Sequence, residues 1–572
     1  MTDIVLVDSL EKVFPDAAPR PFDPTVPLTL VTGERANLQV AIHVPAAPAR
    51  VLREVVVRVR ATHGVRASLS QVELVDVRMP YESEIDPSEF LRTEPGLFPD
   101  LLRPLADEEI VPIVPGRWHA IWVSLEADAD AAPAGAVVEG GVRVEVDLLA
   151  GDASTAVTEQ VVREAPIEVV GAQLPQLGLV NTHWFHGDGI AQFYGVEVLS
   201  EPWWHAVGEQ MRAAARMDVT SVLTPLWTPP LDTAEGGERL PTQLLEIVEE
   251  EPANDGDGRG ARYTFGFDAL DRWLGLARAA GIRQIEVPHL FTQWGARATP
   301  AIRVRTAAGE ERRFGWDVPA TDPSYRALME QLLPALIAHL DEAWGLDDVL
   351  FHLSDEPNHD HLDSYTAARG VVADLLEGVR VVDALSDYAF YERGLVPTPI
   401  VATDHVQAFL DAGVENVWVY YCMAQKTGVA NRFIAQPSAS NRVLGRQLFA
   451  ARAGGFLHWG FNFYNTQFSR RPLNPFLDTC AGGGFPGGDP FIVYPGPGGA
   501  AWLTIRYEVF AEAMLDHRIA QALTDRIGHE AAAAMLAVPG TDAARPYALP
   551  PQLDPVALRR TAREAARALV EG

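Results

Sequence analysis

The feature that most constrains this chain is a change of rhythm near residue 172. Beyond it, short apolar runs alternate with helical stretches, the βαβα signature of a parallel sheet. The candidate strands are LGLVNTHW (177–184), TSVLTPL (220–226), RQIEVPHL (283–290), DVLFHLS (348–354), VRVVDAL (379–385), TPIVAT (398–403), NVWVYY (416–421) and GFLHWG (455–460). Helical stretches fall between most of them, at 203–217, 268–280, 322–345, 363–377, 405–412 and 440–453, with a last one near 501–521. Eight strand–helix units over about 340 residues is the count of a (β/α)8 TIM barrel. A doubly wound sheet could use eight strands too, but no Gly-rich phosphate turn follows the first.

Residues 1 to about 172 read as β throughout. VVVRVRA (55–61), VELVDVR (72–78), HAIWVSLEA (119–127), GVRVEVDLL (141–149) and APIEVV (165–170) alternate apolar and polar at period 2, with turns such as Pro133-Ala134-Gly135 between them. Strands at this spacing without helices predict a β-sandwich. The expected domains are an N-terminal β-sandwich (1–172), a barrel catalytic domain (173–525) entered through the linker GAQLPQLG (171–178), and a C-terminal helical extension (526–572). Within the extension, 553–572 is an Arg/Glu-rich amphipathic helix. Glu249–Gly260 is polar and turn-rich, so a surface loop is expected there. Ala481–Gly499 holds eight glycines and four prolines without GK[ST], which fits a long loop after strand 8 and not a phosphate loop.

Charge narrows the partners. With 46 Lys+Arg against 77 Asp+Glu, the chain carries a formal charge of −31 and lacks the basic surface that nucleic acid or an anionic membrane needs. Lys12 and Lys426 are the only lysines. Cys422 and Cys480 cannot build a disulfide framework, and no CxxC pair suggests zinc. MTDIVLVDSLEKVF has no signal-peptide character, and no apolar run spans a membrane, so a soluble cytoplasmic protein is expected. No cofactor is called for, and a homo-oligomer is left open.

In a barrel, residues just past the C-terminal strand ends line the active site. Strand 1 delivers His183, Trp184, His186 and Asp188; strand 3 delivers His289, Gln293 and Trp294. Strand 4 ends in Ser354-Asp355-Glu356-Pro357, and strand 5 in Asp383 followed by Ser386, Asp387 and Tyr388. Strand 6 leads to Asp404 and His405, strand 7 to Tyr420, Tyr421 and Gln425, and strand 8 to His458, Trp459, Asn462 and Tyr464. Aromatic platforms with neutral hydrogen-bonding groups suit a sugar, whereas a phosphorylated substrate wants more cations. Core packing is the plainer reading of any single aromatic residue here.

Asp355-Glu356 is the sharpest feature. Neighbours in a strand point to opposite faces, so both reach one pocket only where the strand breaks, and Pro357 supplies the break. One carboxyl can then stay protonated as a general acid beside its ionised neighbour. A helix N-cap cluster ahead of residue 363 would also use these residue types. His352, His359 and His361 with Asp355, Glu356 and Asp360 could suggest a metal, but no H-E-x-x-H spacing is present. Ser354 lacks a G-x-S-x-G elbow.

The runs WFHGDGIAQFYGVEVLSEPWW (184–204), LTPLWTPPLDT (223–233), HLFTQWGA (289–296), FHLSDEPNHDH (351–361), WVYYCMAQ (418–425), NRFIAQPS (431–438) and GFLHWGFNFYNTQFS (455–469) resemble a bacterial family long catalogued as a domain of unknown function. That family is similar to the catalytic domain of glycoside hydrolase family 123, and the resemblance spans roughly 175–520. The preceding β-rich region also resembles that family's N-terminal domain. The resemblance implies an exo-acting, retaining β-N-acetylgalactosaminidase that uses substrate assistance. Glu356 would be the acid/base, and Asp355 would orient the 2-acetamido group and stabilise the oxazolinium intermediate, an exception to the two-carboxylate scheme. Tyr420 or Tyr421 would bind the acetamido oxygen and Trp459 would floor the sugar.

The substrate-binding candidates are therefore His183, His186, Asp188, His289, Gln293, Trp294, Tyr388, Tyr420, Tyr421, Gln425, Trp459, Asn462 and Tyr464. A non-acetamido sugar would need a separate nucleophile, for which Glu286 and Asp383 are candidates. A non-catalytic carbohydrate-binding protein is the alternative from another class, and pure binding has no need of adjacent acids.

Overall fold

The computed structural model describes residues 2–46, 53–62, 64–82, 85–150, 155–250 and 261–571. Eight parallel strands close into a barrel: β1 (Val180–His183), β2 (Ser221–Leu223), β3 (Gln284–Val287), β4 (Val349–Phe351), β5 (Arg380–Ala384), β6 (Thr398–Ala402), β7 (Trp418–Tyr420) and β8 (Gly455–His458). β8 pairs with β1 to complete the ring. Each strand falls within one of the eight apolar runs. Parallel strands are covered on both faces, which is why they read as continuous apolar runs and not as alternation.

Helices α1 (Gly187–Tyr194) and α2 (Glu201–Arg216) follow β1, α3 (Asp268–Ala280) follows β2, α4 (Pro323–Ala343) follows β3, and α5 (Leu362–Val372) follows β4. The later connections depart from expectation. The stretch 405–412 is helical only over Gln407–Asp411, and 440–453 is two short helices, Ser438–Arg442 and Leu444–Ala450. The helix expected at 501–521 starts late, because Ala501–Thr504 is a strand. The Thr504 hydroxyl accepts from Tyr507 N (3.0 Å), an N-cap that sets the start of Ile505–Ile527.

The chain forms two compact units that interleave in sequence: Met1–Gly178 with Lys426–Ala451 and Trp502–Gly572, and Leu179–Gln425 with Arg452–Ala501. In the first, two sheets share one hydrophobic cluster. Leu38, Val40, Ile121 and Val123 come from one sheet, and Val55, Val57, Val144 and Val146 from the other. Alternation decides which residues enter it: Val142, Val144 and Val146 are buried, while Arg143 and Glu145 between them pair outside at 2.9 Å.

The second unit also carries a four-stranded sheet that the sequence reading lacked. Glu246–Glu249 pairs with Tyr263–Gly266 and with Ile302–Thr306, which in turn pairs with Gly309–Phe314. Arg and Glu dominate the last two strands, so they offer no apolar run to detect. Glu249, the first residue of the expected surface loop, ends a strand; 251–260 lie outside the described residues.

Inside the barrel, β3 presents Glu286, fully buried. Its Oε1 accepts from Ser221 Oγ (2.6 Å) and from Thr182 Oγ1; its Oε2 accepts from Trp184 Nε1 (3.1 Å) and His352 Nε2 (2.9 Å). Burial alone would raise this carboxyl's pKa. The bonds from His352, Ser221 and Thr182 outweigh that and hold it below the usual range. Four donors occupy the four lone-pair positions of a carboxylate, which corrects the reading of Glu286 as a spare nucleophile.

Glu286→Ala would strand all four donors in the barrel core. It should cost about 3–5 kcal/mol of stability in urea unfolding, the range for breaking a buried charged pair. Wild-type stability with turnover lost would instead return Glu286 to the list of nucleophiles.

Candidate active site

β4 stops at Phe351, and the chain beyond it presents Asp355 and Glu356 to one cavity of about 310 Å³. The two are held by opposite neighbours. Trp294 N donates to the Asp355 carbonyl (2.9 Å), after β3, whereas Glu356 N donates to the Ala384 carbonyl (3.0 Å) at the end of β5. Glu356 sits in the left-handed region at φ 45°, although it precedes a proline, where extended backbone is favoured. Backbone strain of this kind concentrates at functional sites. The break that Pro357 implied is therefore present.

Burial raises both acids. Asp355 is pushed well above the carboxylate range by burial, then by the charges of Glu356, Asp383 and Asp232. Burial also raises Glu356, against which Tyr420 works by donating to its Oε1 at 2.7 Å. Trp184, itself buried, lines the cavity, Trp459 and Phe485 form a further wall, and Trp294 lies 38% exposed, edge to face with Phe468. Trp459 is fixed by its Nε1 bond to Asp489 (3.0 Å) and by packing against Phe463 and Phe485. Gln293 donates to the Thr233 carbonyl (2.9 Å). Among the described residues, no Lys, Arg or His lines this space.

Of the sequence-predicted residues, the cavity gathers Asp355, Glu356, Gln293, Trp294, Tyr420 and Trp459. The others are placed elsewhere. His183 and Tyr421 lie one residue out of phase with cavity-lining neighbours; both pack on Phe456 and His458. His289 lies behind Trp184, wholly buried. Asp188 forms a buried bidentate pair with Arg239 (2.6 and 3.0 Å) and accepts from Asn465 (3.1 Å).

His186 bonds the same Arg239 (3.0 Å) and the Trp459 carbonyl (2.8 Å), while Asn462 accepts from His186 N (2.7 Å) and donates to Gln210 (2.7 Å). Burial, with the Arg239 charge, pushes the His186 pKa down to about 3. Tyr464 donates to the Val493 carbonyl (2.9 Å), Gln425 to Asp404 (3.0 Å), and Tyr388 packs on Phe409. Asp188, His186 and Gln425 thereby brace loops that carry cavity residues.

Asp383 does not line the cavity; it accepts from Tyr365 (2.5 Å) and from the amides of Leu353 (2.7 Å) and Ser354 (3.3 Å), and burial pushes its pKa up to about 7. It steadies the residues just ahead of Asp355. The capping role belongs to Asn358, which accepts from Asp360 N (3.0 Å). Ser354 Oγ donates to the Thr292 carbonyl (2.9 Å) and is buried. His352 is bound to Glu286 inside the barrel while His359 lies exposed, and no group of three metal-ligating side chains converges among the described residues.

The sequence reading overlooked Asp232, Gln467, Phe468 and Phe485, and it did not count Trp184 as a binding residue. Asp232 is visible in the sequence as the acid that ends the PPLD segment after β2. Phe468 and Phe485 lie in the long excursion after β8, far beyond any strand end.

The family described as Glycoside hydrolase 123, catalytic domain, matches residues 184–523. No curated protein matches the chain. Among solved structures, a family 123 glycoside hydrolase from Clostridium perfringens, described in terms of glycolipid glycan hydrolysis, aligns over 100% of this chain and 98% of its own. Its TM-score is 0.71 at 14% identity, a likeness of fold. A Bifidobacterium dentium β-glucuronidase covers 90% of this chain and 67% of its own at 10% identity, but its TM-score of 0.31 carries no argument. The family match runs over more than half of the chain and surrounds the cavity residues, so the protein belongs to glycoside hydrolase family 123 and is a glycosidase.

Proposed function

We propose that the protein is an exo-acting, retaining glycosidase that releases β-linked N-acetylgalactosamine by substrate assistance, from a (β/α)8 TIM barrel preceded by a β-sandwich. The observation that carries this reading is the Asp355-Glu356 pair, splayed between β3 and β5 so that both carboxyls reach one cavity. The Asp355 carboxyl meets no protein donor among the described residues, which leaves it for an acetamido N–H. Glu356, held by Tyr420, is the acid that protonates the leaving oxygen. The volume is at the low end of small-molecule sites, ~300–1,000 Å³, which suits one terminal sugar. The aromatic walls suit its C–H faces.

The proton has a defined course. Burial raises both carboxyls, so the adjacent pair holds one proton between them. An amide N–H donated to Asp355 favours the carboxylate there, so substrate binding moves the proton to Glu356 and arms the acid. The acetamido oxygen then closes on C1 as the leaving group departs with the proton. Water activated by Glu356 opens the ring in the second half.

A second reading rests on Asp232, the third carboxyl in the cavity, which could supply the nucleophile of a two-carboxylate mechanism. It leaves the adjacency of Asp355 and Glu356 without a purpose. The two readings separate on the substituent at C2.

Glu356→Gln should slow poor leaving groups about 10²–10⁴-fold while activated aryl glycosides suffer far less. Its alkaline limb in kcat/KM, set in the wild type by loss of the shared proton, should also disappear. In the wild type that limb should lie above the ordinary carboxylic range of about 4, because burial keeps the pair protonated to higher pH. Equal loss on both leaving groups would remove Glu356 as the acid.

A β-N-acetylgalactosaminide should be cleaved while the matching β-galactoside is almost untouched, since the five-membered ring closes from atoms already held in place. A thiazoline analogue should inhibit, and azide should not rescue Asp355→Asn. Efficient turnover of the 2-hydroxy substrate would hand the mechanism to the second reading.

A further inference from the structure

Three carboxyls share the cavity, and the barrel order ranks them. Asp232 follows β2; Asp355 is tied back to the segment after β3; Glu356 is tied forward to β5 and to Tyr420 of β7. In barrel order Asp232 thus comes before Asp355 and Glu356 after it, and the Asp232 charge bears on Asp355. Its own setting is built. The residue is left-handed at φ 39°, and the loop after β8 locks it there. Phe468 N donates to Asp232 Oδ2 (3.0 Å) and Ser469 Oγ donates to the Asp232 carbonyl (2.7 Å). Oδ1 meets no protein donor among the described residues, although Asp232 lines the cavity.

A sugar cleaved here has C1 at Glu356, the acid for the leaving oxygen, and C2 at Asp355, which rests on the reading above. The next ring carbon along that side is C3. We infer that Asp232 is the specificity-determining residue that accepts a hydrogen bond, through Oδ1, from the 3-hydroxyl of the bound sugar. A carboxylate anchored by one oxygen and open at the other selects a free hydroxyl donor. It rejects a residue whose O3 is substituted, because the acceptor would be left buried and unpaired. The enzyme then takes terminal residues with a free 3-hydroxyl. Burial lifts the Asp232 pKa to about 6, so the group is mostly ionised at neutral pH.

The test measures kcat/KM for wild type and Asp232→Asn on an aryl β-N-acetylgalactosaminide and its 3-deoxy counterpart. The asparagine keeps a carbonyl for Phe468 N, and thermal unfolding checks that the loop has held. The wild type should prefer the 3-hydroxy substrate by about tenfold to a hundredfold, the range for a hydrogen bond to a charged group. Asp232→Asn should shrink that preference to within about threefold of parity. A wild type indifferent to the 3-hydroxyl overturns the inference whether or not the variant folds, and so does a variant that loses activity equally on both substrates.

Formation of a glycosyl azide by Asp232→Ala would make Asp232 a nucleophile and overturn it as well. Running the 2-hydroxy pair alongside separates the two claims. Turnover confined to that pair sinks substrate assistance, yet a 3-hydroxyl preference abolished by Asp232→Asn would still uphold the assignment. Turnover of neither pair overturns both.

Discussion

One buried carboxylate organises the barrel mouth. Glu286 takes donors from β1, β2 and the segments following β1 and β4, so a single charge ties together the strands that frame the cavity. An unpaired carboxylate there would be prohibitively costly, and a fully paired one makes each donor's position mutually dependent. Trp184 is the consequence that reaches function. Its Nε1 is pinned by Glu286 while its ring lines the cavity, so part of the cavity wall is set by a bond made inside the barrel. Asp383 does the equivalent work two strands over, holding the amides of Leu353 and Ser354 just ahead of Asp355 and Glu356.

This division explains what was legible in the sequence. The eight strands could be read because burial on both faces writes itself as apolar runs. The acid pair could be read because Pro357 must break a strand. Strand-end position overstated the site, since alternation sends each second residue into the wall: Tyr420 bonds Glu356, while Tyr421 is buried against Phe456 and His458. A histidine at a strand end looks the same in sequence whether it meets substrate or, like His289, packs behind a tryptophan. The residues missed lie where no periodicity operates. Phe468 reaches the cavity only because its loop crosses to the loop after β2, bonding Asp232 and Ala234, and such a pairing leaves no trace in local pattern.

Several polar residues at the mouth form a frame of their own. Arg239, Asp188, His186 and Asn465 make a buried charged cluster joining the loops after β1, β2 and β8. A buried ion pair is poor evidence for stability, because desolvation consumes most of its Coulomb energy. Its better-supported use is to specify one arrangement among several apolar ones. Here the arrangement specified is that of three long loops, and Trp459 is one of its beneficiaries, since His186 bonds its carbonyl while Asp489 bonds its ring.

The same logic bears on the electrostatics of catalysis. A site with three carboxyls and no cation in its lining could be expected to repel its own ionised state; Asp355, raised by burial and then by its carboxyl neighbours, expresses that repulsion, while burial raises Glu356 and Asp232. Placing an Arg or Lys among them would relieve it, but would also lower every pKa and leave no proton for the leaving group. Neutral donors solve the problem differently. Tyr420 stabilises Glu356 without fixing its proton, and Phe468 N does the same for Asp232. In the proposed mechanism the cavity thereby keeps a proton that is free to move between adjacent carboxyls, and the substrate's own N–H and O–H groups become the strongest available donors. An acid site without cations is thus a site whose charge state is completed by a sugar.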